Sequence, residues 1–259
     1  MKYSYALVCR STIAGLLALT FMTKTHATTV TIDAEYRGNY DQYGSAVTAV
    51  TSASNYFTGV YAAPDYNNGV PVEIRNFFSF DVGGKLGYPG AYNISAAKVV
   101  LDNWNKEIGV IQPNGSNFVA YELFDVTTSI PLLNGNEGPK PNPAIFEDLG
   151  TGITYGFELA DLFHLGQPET IELNSAAISQ LNNLDRIFTI GGRVRLPLTP
   201  TQTTGIFGGS GPGMYEGNSF RTRLILEVET RQIPEPPSLL LFFGAGLASL
   251  SFTRRSRRK

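Results

Sequence analysis

Cysteine and histidine are nearly absent from this sequence. Its 259 residues include one cysteine, Cys9, and two histidines, His26 and His164. A single thiol cannot form a disulfide framework, and so few ligands exclude the Cys- and His-rich zinc sites. The folded region must therefore be held together by a hydrophobic core.

Positive charge is scarce in the middle of the chain. Residues 28–233 carry 12 Lys and Arg against 21 Asp and Glu, a net charge of −9, whereas the whole chain is −2. The other eight basic residues lie at the two ends. An acidic middle region disfavours binding to nucleic acid, so we expect no nucleic-acid partner. It is compatible with calcium or with neutral glycans.

The N-terminus has the three parts of a secretory signal. Lys2 and Arg10 supply positive charge, Ile13–Met22 is apolar, and Thr25-His26-Ala27 places small residues where a signal peptidase reads them. The apolar run is too short to span a bilayer. We therefore predict a signal peptide over residues 1–27, cleaved after Ala27. The alternative is an uncleaved anchor.

The C-terminus combines three elements in a fixed order. Pro234, Glu235 and Pro236 come first, an apolar stretch follows over residues 238–252, and a basic cluster of Arg254, Arg255, Arg257 and Arg258 comes last. The prolines keep the motif extended, and the arginines would hold this end in the cytoplasm. As a helix, the apolar stretch is only about 22 Å long, which suits a temporary hold in the membrane.

These three elements resemble the PEP-CTERM sorting tail of Gram-negative bacteria. The resemblance covers residues 234–259 and implies that Pro234, Glu235 and Pro236 are recognised by an exosortase-like processing enzyme. It also implies a precursor held in the inner membrane and a mature form at the cell surface or outside the cell. The family is linked to biofilm and extracellular polymer. The alternative is a tail-anchored membrane protein that keeps its helix.

Strand periodicity dominates residues 28–233. From Phe220 to Thr230 the even positions are mostly apolar and the odd ones mostly charged, which predicts a half-buried strand. Similar patterns predict strands at Val72–Val82, Thr29–Tyr36, Tyr56–Tyr61, Ala96–Trp104, Phe118–Val126 and Arg186–Leu196. Turns are predicted at Asn67–Gly69, Gly83–Gly84, Pro113–Gly115 and Gly191–Gly192.

Helical signals are few. Asn174 and Ser175 can cap a run in which Ala177, Ile178, Leu181 and Leu184 fall at helical spacing. A second short helix is predicted around Phe157–Phe163. Many strands and few helices predict a mainly β domain, an antiparallel sandwich or jelly roll, over residues 28–233. Gly135–Pro143 is the best linker candidate, although a surface loop within one domain is favoured there.

Two stretches are similar to an exported β-domain pattern. One is Arg75–Asp81 followed by Ser95–Leu101, and the other is Ile171–Asn174 with Phe188–Gly192. The first resembles a segment of the disaggregatase-related jelly rolls, which are like carbohydrate-binding modules. This resemblance supports the sandwich and assigns no ligand.

The sequence offers no coherent nucleophilic site. His164 follows Asp161 by three residues, and a histidine near a carboxylate could act as a general base. However, Ser210 lacks the glycine pattern of a nucleophile elbow. The glycine-rich stretch Gly205–Gly213 lacks the lysine of a phosphate-binding loop. We therefore predict a capping or solvated histidine and no catalytic residue.

Paired carboxylates are the remaining route to catalysis. A polysaccharide hydrolase needs two acids at a suitable separation, and Asp33 with Glu35 or Glu227 with Glu229 could share a strand face. Acids that alternate along an outer face are usually only solvated. A hydrolase is therefore the second alternative.

Tyrosines suggest a binding role. Tyr36, Tyr40 and Tyr43 fall in one segment that we predict to be a recognition loop, because tyrosine offers a flat apolar ring with a polar tip. They could equally seal the ends of the domain. The oxygen-rich run Asp65–Gly69 is compatible with calcium, and no other cofactor is expected.

The expectation that follows is an exported, noncatalytic component of the cell surface or biofilm matrix. Its expected partners are a signal peptidase, the exosortase-like enzyme, the inner membrane during export and an extracellular polysaccharide. A carbohydrate-binding module is the first alternative.

Overall fold

The computed structural model describes residues 27–47, 55–62, 67–87, 89–102, 118–135, 138, 140–161, 168–195, 204–206 and 221–230. In these residues the chain forms strands β1 (Ala27–Asp33), β2 (Tyr36–Asp41), β3 (Thr58–Tyr61), β4 (Val72–Asp81), β5 (Tyr92–Asp102), β6 (Phe118–Asp125), β7 (Thr154–Asp161), β8 (Pro168–Glu172), β9 (Ile187–Arg195), β10 (Thr204–Ile206) and β11 (Thr222–Thr230). The short helices are α1 (Val82–Leu86), α2 (Ile130–Leu133), α3 (Pro143–Asp148) and α4 (Ser175–Asn183), with a 3-10 turn at Asn67–Gly69.

The strands form two antiparallel sheets. The four-stranded sheet has the order β1-β11-β5-β8, and the seven-stranded sheet has the order β10-β3-β4-β9-β6-β7 with β2 paired to β4. The predicted fold class, mainly β with antiparallel sheets and a few short helices, is confirmed at this level. Residues 1–26 of the predicted signal and the predicted C-terminal hydrophobic helix lie outside the described residues, whereas Ala27 is the first residue of β1.

Alternation sets which face of each strand is buried. In β11 the even residues Thr222, Leu224, Leu226 and Val228 are buried and the odd ones are half-exposed, as predicted. Both sheets contribute apolar residues to one hydrophobic core, for example Leu101 and Leu224 from the first sheet and Phe80, Leu123 and Phe188 from the second. The core thus replaces the disulfides that the sequence lacks.

The seven-stranded sheet is buried on part of its second face as well. There Phe77 of β4 and Tyr40 of β2 pack with Leu133, Ile145, Phe146 and Leu149 from the segment that holds α2 and α3. This explains the broken alternation of β4, in which Phe77 occupies the nominally polar phase. We call the segment with α2 and α3 the cover, and Arg75 of β4 holds it against the sheet. The Arg75 guanidinium lies 3.9 Å from the Phe146 ring centroid and donates to the Phe146 carbonyl at 3.0 Å.

Helix α4 begins where the sequence predicts it. Asn174 is the N-cap, and its side-chain oxygen accepts hydrogen bonds from the amides of Ala176 and Ala177. Ala177 and Leu181 are buried in the main core. The helical spacing therefore reflects one apolar stripe.

Two local predictions are wrong. Phe157 lies in β7, paired with β6, and not in a helix around Phe157–Phe163. Gly191 and Gly192 lie inside β9 and form no turn. A side chain at Gly191 would meet the backbone of Leu149, so glycine is needed there for close packing.

The first and last described strands are neighbours. β1 pairs with β11 along its whole length, from Ala27 opposite Glu229 to Asp33 opposite Arg223. Residues 27–230 form one compact unit. The segment Gly135–Pro143 does not divide it, because the Asn142 amide donates to the Gly44 carbonyl at 3.0 Å.

Candidate functional site

The residues of the predicted sorting tail cannot be placed in this fold. Pro234, Glu235 and Pro236 lie outside the described residues, as do Arg254, Arg255, Arg257 and Arg258. In the described part of the chain, no helix is long and apolar enough to cross a membrane. The sorting motif and the basic cluster therefore stay predictions.

The three candidate tyrosines do not share a loop. Tyr36 and Tyr40 lie on β2, and only Tyr43 follows the strand. Tyr40 is 3% exposed, and its hydroxyl donates to the Leu133 carbonyl at 2.5 Å. Because its ring packs in the second cluster, Tyr40 seals the sheet, and burial raises the pKa of its hydroxyl. The loop prediction is wrong for Tyr36 and Tyr40.

Tyr43 is the exposed member of the three. Its side chain is 45% exposed, and its hydroxyl accepts a 3.3 Å hydrogen bond from the Asn67 side chain. The Asp41 carboxylate fixes this turn by accepting from the amides of Tyr43 and Ser45. A ligand role for Tyr43 stays a prediction.

The predicted metal and acid sites are only partly described. Asp65, His164 and the side chain of Asp161 lie outside the described residues. Among the described residues no group of three His, Cys, Asp or Glu could hold a metal ion. β1 ends at Asp33, so Glu35 does not share a strand face with it. Glu227 and Glu229 do share the half-exposed face of β11, where Glu227 accepts a 2.9 Å hydrogen bond from the Thr29 hydroxyl.

The outer face of β6, β7 and β9 has an unusual composition. In the registers of these strands, Phe157 lies opposite Glu122 and Leu159 opposite Ala120, and Phe118 lies two residues before Ala120 on β6. Arg193 and Arg195 of β9 lie opposite Glu122 and Ala120. Directly paired residues point to the same side of a sheet, so these side chains share one face. We call this surface the β6–β7 face and define it by Phe118, Ala120, Glu122, Phe157, Leu159, Arg193 and Arg195.

Large apolar side chains are exposed on this face. Phe118 and Phe157 are each 51% exposed and Leu159 is 54% exposed. The other face of β6 carries Val119 and Tyr121, which are buried in the main core. The cover formed by α2 and α3 reaches Gly191 of β9, through Leu149, but leaves this apolar row accessible. Adjacent exposed apolar residues make this face a candidate interaction surface.

A charged cluster borders the apolar row. Glu122 is nearly buried and accepts from Arg195, whose Nη2 lies 2.9 Å from Oε1 and whose Nε lies 3.0 Å from Oε2. Arg193 Nη2 lies 3.4 Å from Oε2, and its guanidinium is 5.1 Å from the Phe124 ring centroid. Two arginines thus share one carboxylate and leave one positive charge. Because both carboxylate oxygens are engaged, Glu122 orients the arginines.

Sequence reasoning missed this face. Phe157 and Leu159 alternate with Gly156, Glu158 and Ala160, which is the period of a strand. Because the sequence was interpreted as a short helix around Phe157–Phe163, Phe157 and Leu159 were not expected to point in the same direction. No family model matches the chain, and no curated protein matches it.

Proposed function

We propose that this chain is an exported, noncatalytic component of the cell surface or biofilm matrix. It is sorted through Pro234, Glu235 and Pro236 and acts through the β6–β7 face. The observation that carries the proposal is the row of half-exposed Phe118, Phe157 and Leu159 on a rigid sheet. The predicted signal peptide and sorting tail would direct the protein to the cell surface, and the β6–β7 face would attach it to other matrix components.

The finer fold assignment belongs to the same proposal. We propose a β-sandwich of jelly-roll type, because the two antiparallel sheets share one core. Sandwiches display functional groups on sheet faces and end loops rather than in a deep interior cavity. A surface role suits that architecture.

Processing is tested by the intact mass of the full-length gene product, purified separately from envelope and medium. We expect loss of residues 1–27 and cleavage near Pro234-Glu235-Pro236. A matched variant with Pro234→Ala, Glu235→Ala and Pro236→Ala should remain uncut in the envelope. Retention of residues 239–259 in the wild-type protein would mean a plain tail anchor and would contradict sorting by cleavage.

The matrix role is tested in cells. Deletion of the gene should reduce cell aggregation or retained surface polymer, and the wild-type gene should restore it. Complementation with Leu159→Lys should fail, whereas Val70→Lys, an equally exposed apolar position elsewhere, should succeed. Unchanged aggregation and polymer in the deletion strain would remove the proposal.

Carbohydrate binding is the second candidate function. Exposed Tyr43, held by Asp41 and Asn67, is the observation that favours it. A glycan array probed with the full-length protein should show binding that Tyr43→Ala abolishes and Tyr43→Phe weakens. Absence of binding to any polysaccharide would eliminate this candidate.

A further inference from the structure

The charged cluster of the β6–β7 face holds more arginines than carboxylates. Arg193 and Arg195 share the single carboxylate of Glu122. Two other arginines of the described residues have carboxylates of their own: Arg75 pairs with Glu73 and Glu147, and Arg186 pairs with Asp81. Glu122 neutralises one guanidinium, so the cluster keeps a net positive charge, although residues 28–233 as a whole are acidic.

Arg195 keeps a second set of donors. Its Nε lies 3.0 Å from Oε2 of Glu122 and its Nη2 lies 2.9 Å from Oε1, so the carboxylate occupies one side of the guanidinium. A guanidinium is planar and has five N–H donors, so this contact leaves unused the fork formed by Nη1 and the second hydrogen of Nη2. The Arg195 side chain is 65% exposed, and a ligand can therefore reach that fork. Such a fork matches a carboxylate, which accepts two parallel hydrogen bonds.

The apolar half of the face lies beside these donors. Arg195, Ala120 and Leu159 form one row across β9, β6 and β7, and Phe157 lies on the same face two residues before Leu159. Neighbouring strands are about 4.8 Å apart, so about 10 Å separates the backbones of Arg195 and Leu159. Ala120 between them has a short side chain, which leaves room above the sheet. A ligand of sugar size can therefore contact a charged group and an apolar surface together.

We propose that the β6–β7 face binds an acidic polysaccharide, in which a sugar carboxylate pairs with Arg195 and the sugar ring packs on Phe157 and Leu159. Sugar rings offer apolar C–H faces to aromatic and aliphatic side chains, and a few polar groups fix their orientation. A neutral glycan would leave the positive charge of the cluster without a partner. The inference rests on the proposed function and deepens it by naming the class of matrix polymer that this face binds.

The charge of the domain favours a polysaccharide over a nucleic acid. Residues 28–233 carry a net charge of −9, and duplex DNA has one negative charge per about 1.7 Å of its axis. A nucleic acid would therefore bring many phosphates against an acidic domain. A polysaccharide needs to place only one carboxylate at the local positive cluster. The acidic surroundings also disfavour nonspecific binding of polyanions, so loss of binding on substitution of Arg195 identifies the site.

Fluorescence anisotropy of a labelled oligogalacturonate, titrated with the purified full-length protein, tests the proposal. We expect binding that weakens as salt rises, and no binding of a labelled neutral maltooligosaccharide at this face. Arg195→Gln should raise the dissociation constant for oligogalacturonate about tenfold or more, because a charge-assisted pair is lost. Arg186→Gln is the matched control, since Arg186 is 69% exposed and also paired with a carboxylate, and it should bind as the wild type does. Circular dichroism checks the fold of each variant.

Two substitutions at one position test the sign of the ligand's charge. Leu159→Lys and Leu159→Glu remove the same apolar contact and add opposite charges to the row that contains Arg195. Both should bind oligogalacturonate more weakly than the wild type, and at low salt Leu159→Glu should bind more weakly than Leu159→Lys. Equal binding by these two variants would contradict an anionic ligand at this face. Because both leave the Glu122 ion pairs intact, they remain informative if Arg195→Gln lowers the stability of the fold.

Three further results would overturn the proposal. The first is that oligogalacturonate does not bind the wild type. The second is equal binding by wild type and Arg195→Gln, because the contact would then lie elsewhere, as in the basic cluster at the C-terminus. The third is tighter binding of a labelled DNA duplex than of oligogalacturonate, which would assign the face to nucleic acid.

The two proposals can fail separately. If oligogalacturonate does not bind while Leu159→Lys still fails to restore aggregation, the matrix role holds and the acidic ligand is wrong. If binding depends on Arg195 while the deletion strain keeps normal aggregation and surface polymer, the binding site holds and the matrix role is wrong.

Discussion

The hydroxyl of Tyr121 donates a 2.8 Å hydrogen bond to Oδ1 of Asn76 inside the core. The amide of the same Asn76 donates to the Tyr56 carbonyl at 2.9 Å. Burial raises the pKa of Tyr121, so its hydroxyl remains a donor at neutral pH. Gly192 of β9 lies between the two groups, and a methyl group there would overlap both. The hydrogen bond therefore depends on a glycine in mid-strand.

Gly192→Ala is expected to destabilise the fold. The added methyl group must displace the Tyr121 hydroxyl or the Asn76 side chain, and overpacking of this kind costs about 1–3 kcal/mol. Urea unfolding followed by circular dichroism measures the loss. An unchanged urea midpoint would contradict this prediction, because it would show that the core can expand around residue 192 to accommodate the methyl group.

A double mutant isolates the cause. Tyr121→Phe removes the nearest clashing atom but leaves the Asn76 oxygen without this donor, which costs about 1–3 kcal/mol by itself. The loss in Gly192→Ala combined with Tyr121→Phe should be smaller than the sum of the two single losses. Strict additivity would contradict the close approach of the two residues.

Arg75→Lys is expected to loosen the cover over the seven-stranded sheet. Arg75 stacks on Phe146, donates to its carbonyl and pairs with Glu73 at 3.0 Å. A lysine cannot reproduce the flat stack and the forked donors, so we expect a loss of about 1–3 kcal/mol. Hydrogen exchange should show faster opening of α2 and α3. Arg195→Lys, at a largely exposed side chain, is the control and should leave this segment protected.

Alkaline unfolding should be steep between pH 10 and 12. Burial, with a smaller effect from the charge of Asp125, raises the pKa of Tyr155 from 10.0 to about 12. Above pH 10 the unfolded chain holds fewer protons than the folded one, so stability falls as pH rises through this window. Melting temperature against pH should decline less steeply in Tyr155→Phe. Tyr43→Phe, at an exposed position, should follow the wild type.

Asp81 should contribute to stability at neutral pH but not in strong acid. Hydrogen bonds from Arg186 and from the Gly84 amide lower the pKa of Asp81 below 3.8. A lowered pKa stabilises the fold above pH 3.8 and is lost as pH falls through the folded value. Asp81→Asn should therefore melt slightly lower at pH 7, and the difference should vanish in acid. Asp185→Asn is the matched control, and a gap that persists at low pH would contradict this origin.

The sequence correctly predicted the strands and helices whose residue pattern arises from one local cause. β11 alternates because one face meets the core, and α4 has both an apolar stripe and an asparagine cap. Contacts with distant parts of the chain do not override such local signals. Phe77 and Asn76 broke the pattern of β4 because a second cover and a polar core contact act on that strand.

The errors arose where distant contacts decide the structure. The tyrosines of β2 looked like loop residues, since nothing local shows that the segment around α3 packs on Tyr40. Gly191 and Gly192 looked like a turn because the glycines' neighbours, Leu149 and Tyr121, lie far away in sequence. The β6–β7 face was missed for the same reason, since it exists only once three strands are aligned.

The pairing of β1 with β11 also fixes the order in which this fold can be completed. Ribosomes make proteins from the N-terminus, so Ala27–Asp33 is synthesised long before its partner, Thr222–Thr230. Until then β11 cannot stand between β1 and β5, and the four-stranded sheet stays open. Closing such a long loop is a slow step for a β protein. A nascent chain should therefore stay incompletely folded until β11 emerges, so that it can still be threaded through a membrane channel or bound by chaperones. The pairing of β11 with both β1 and β5 then completes the four-stranded sheet.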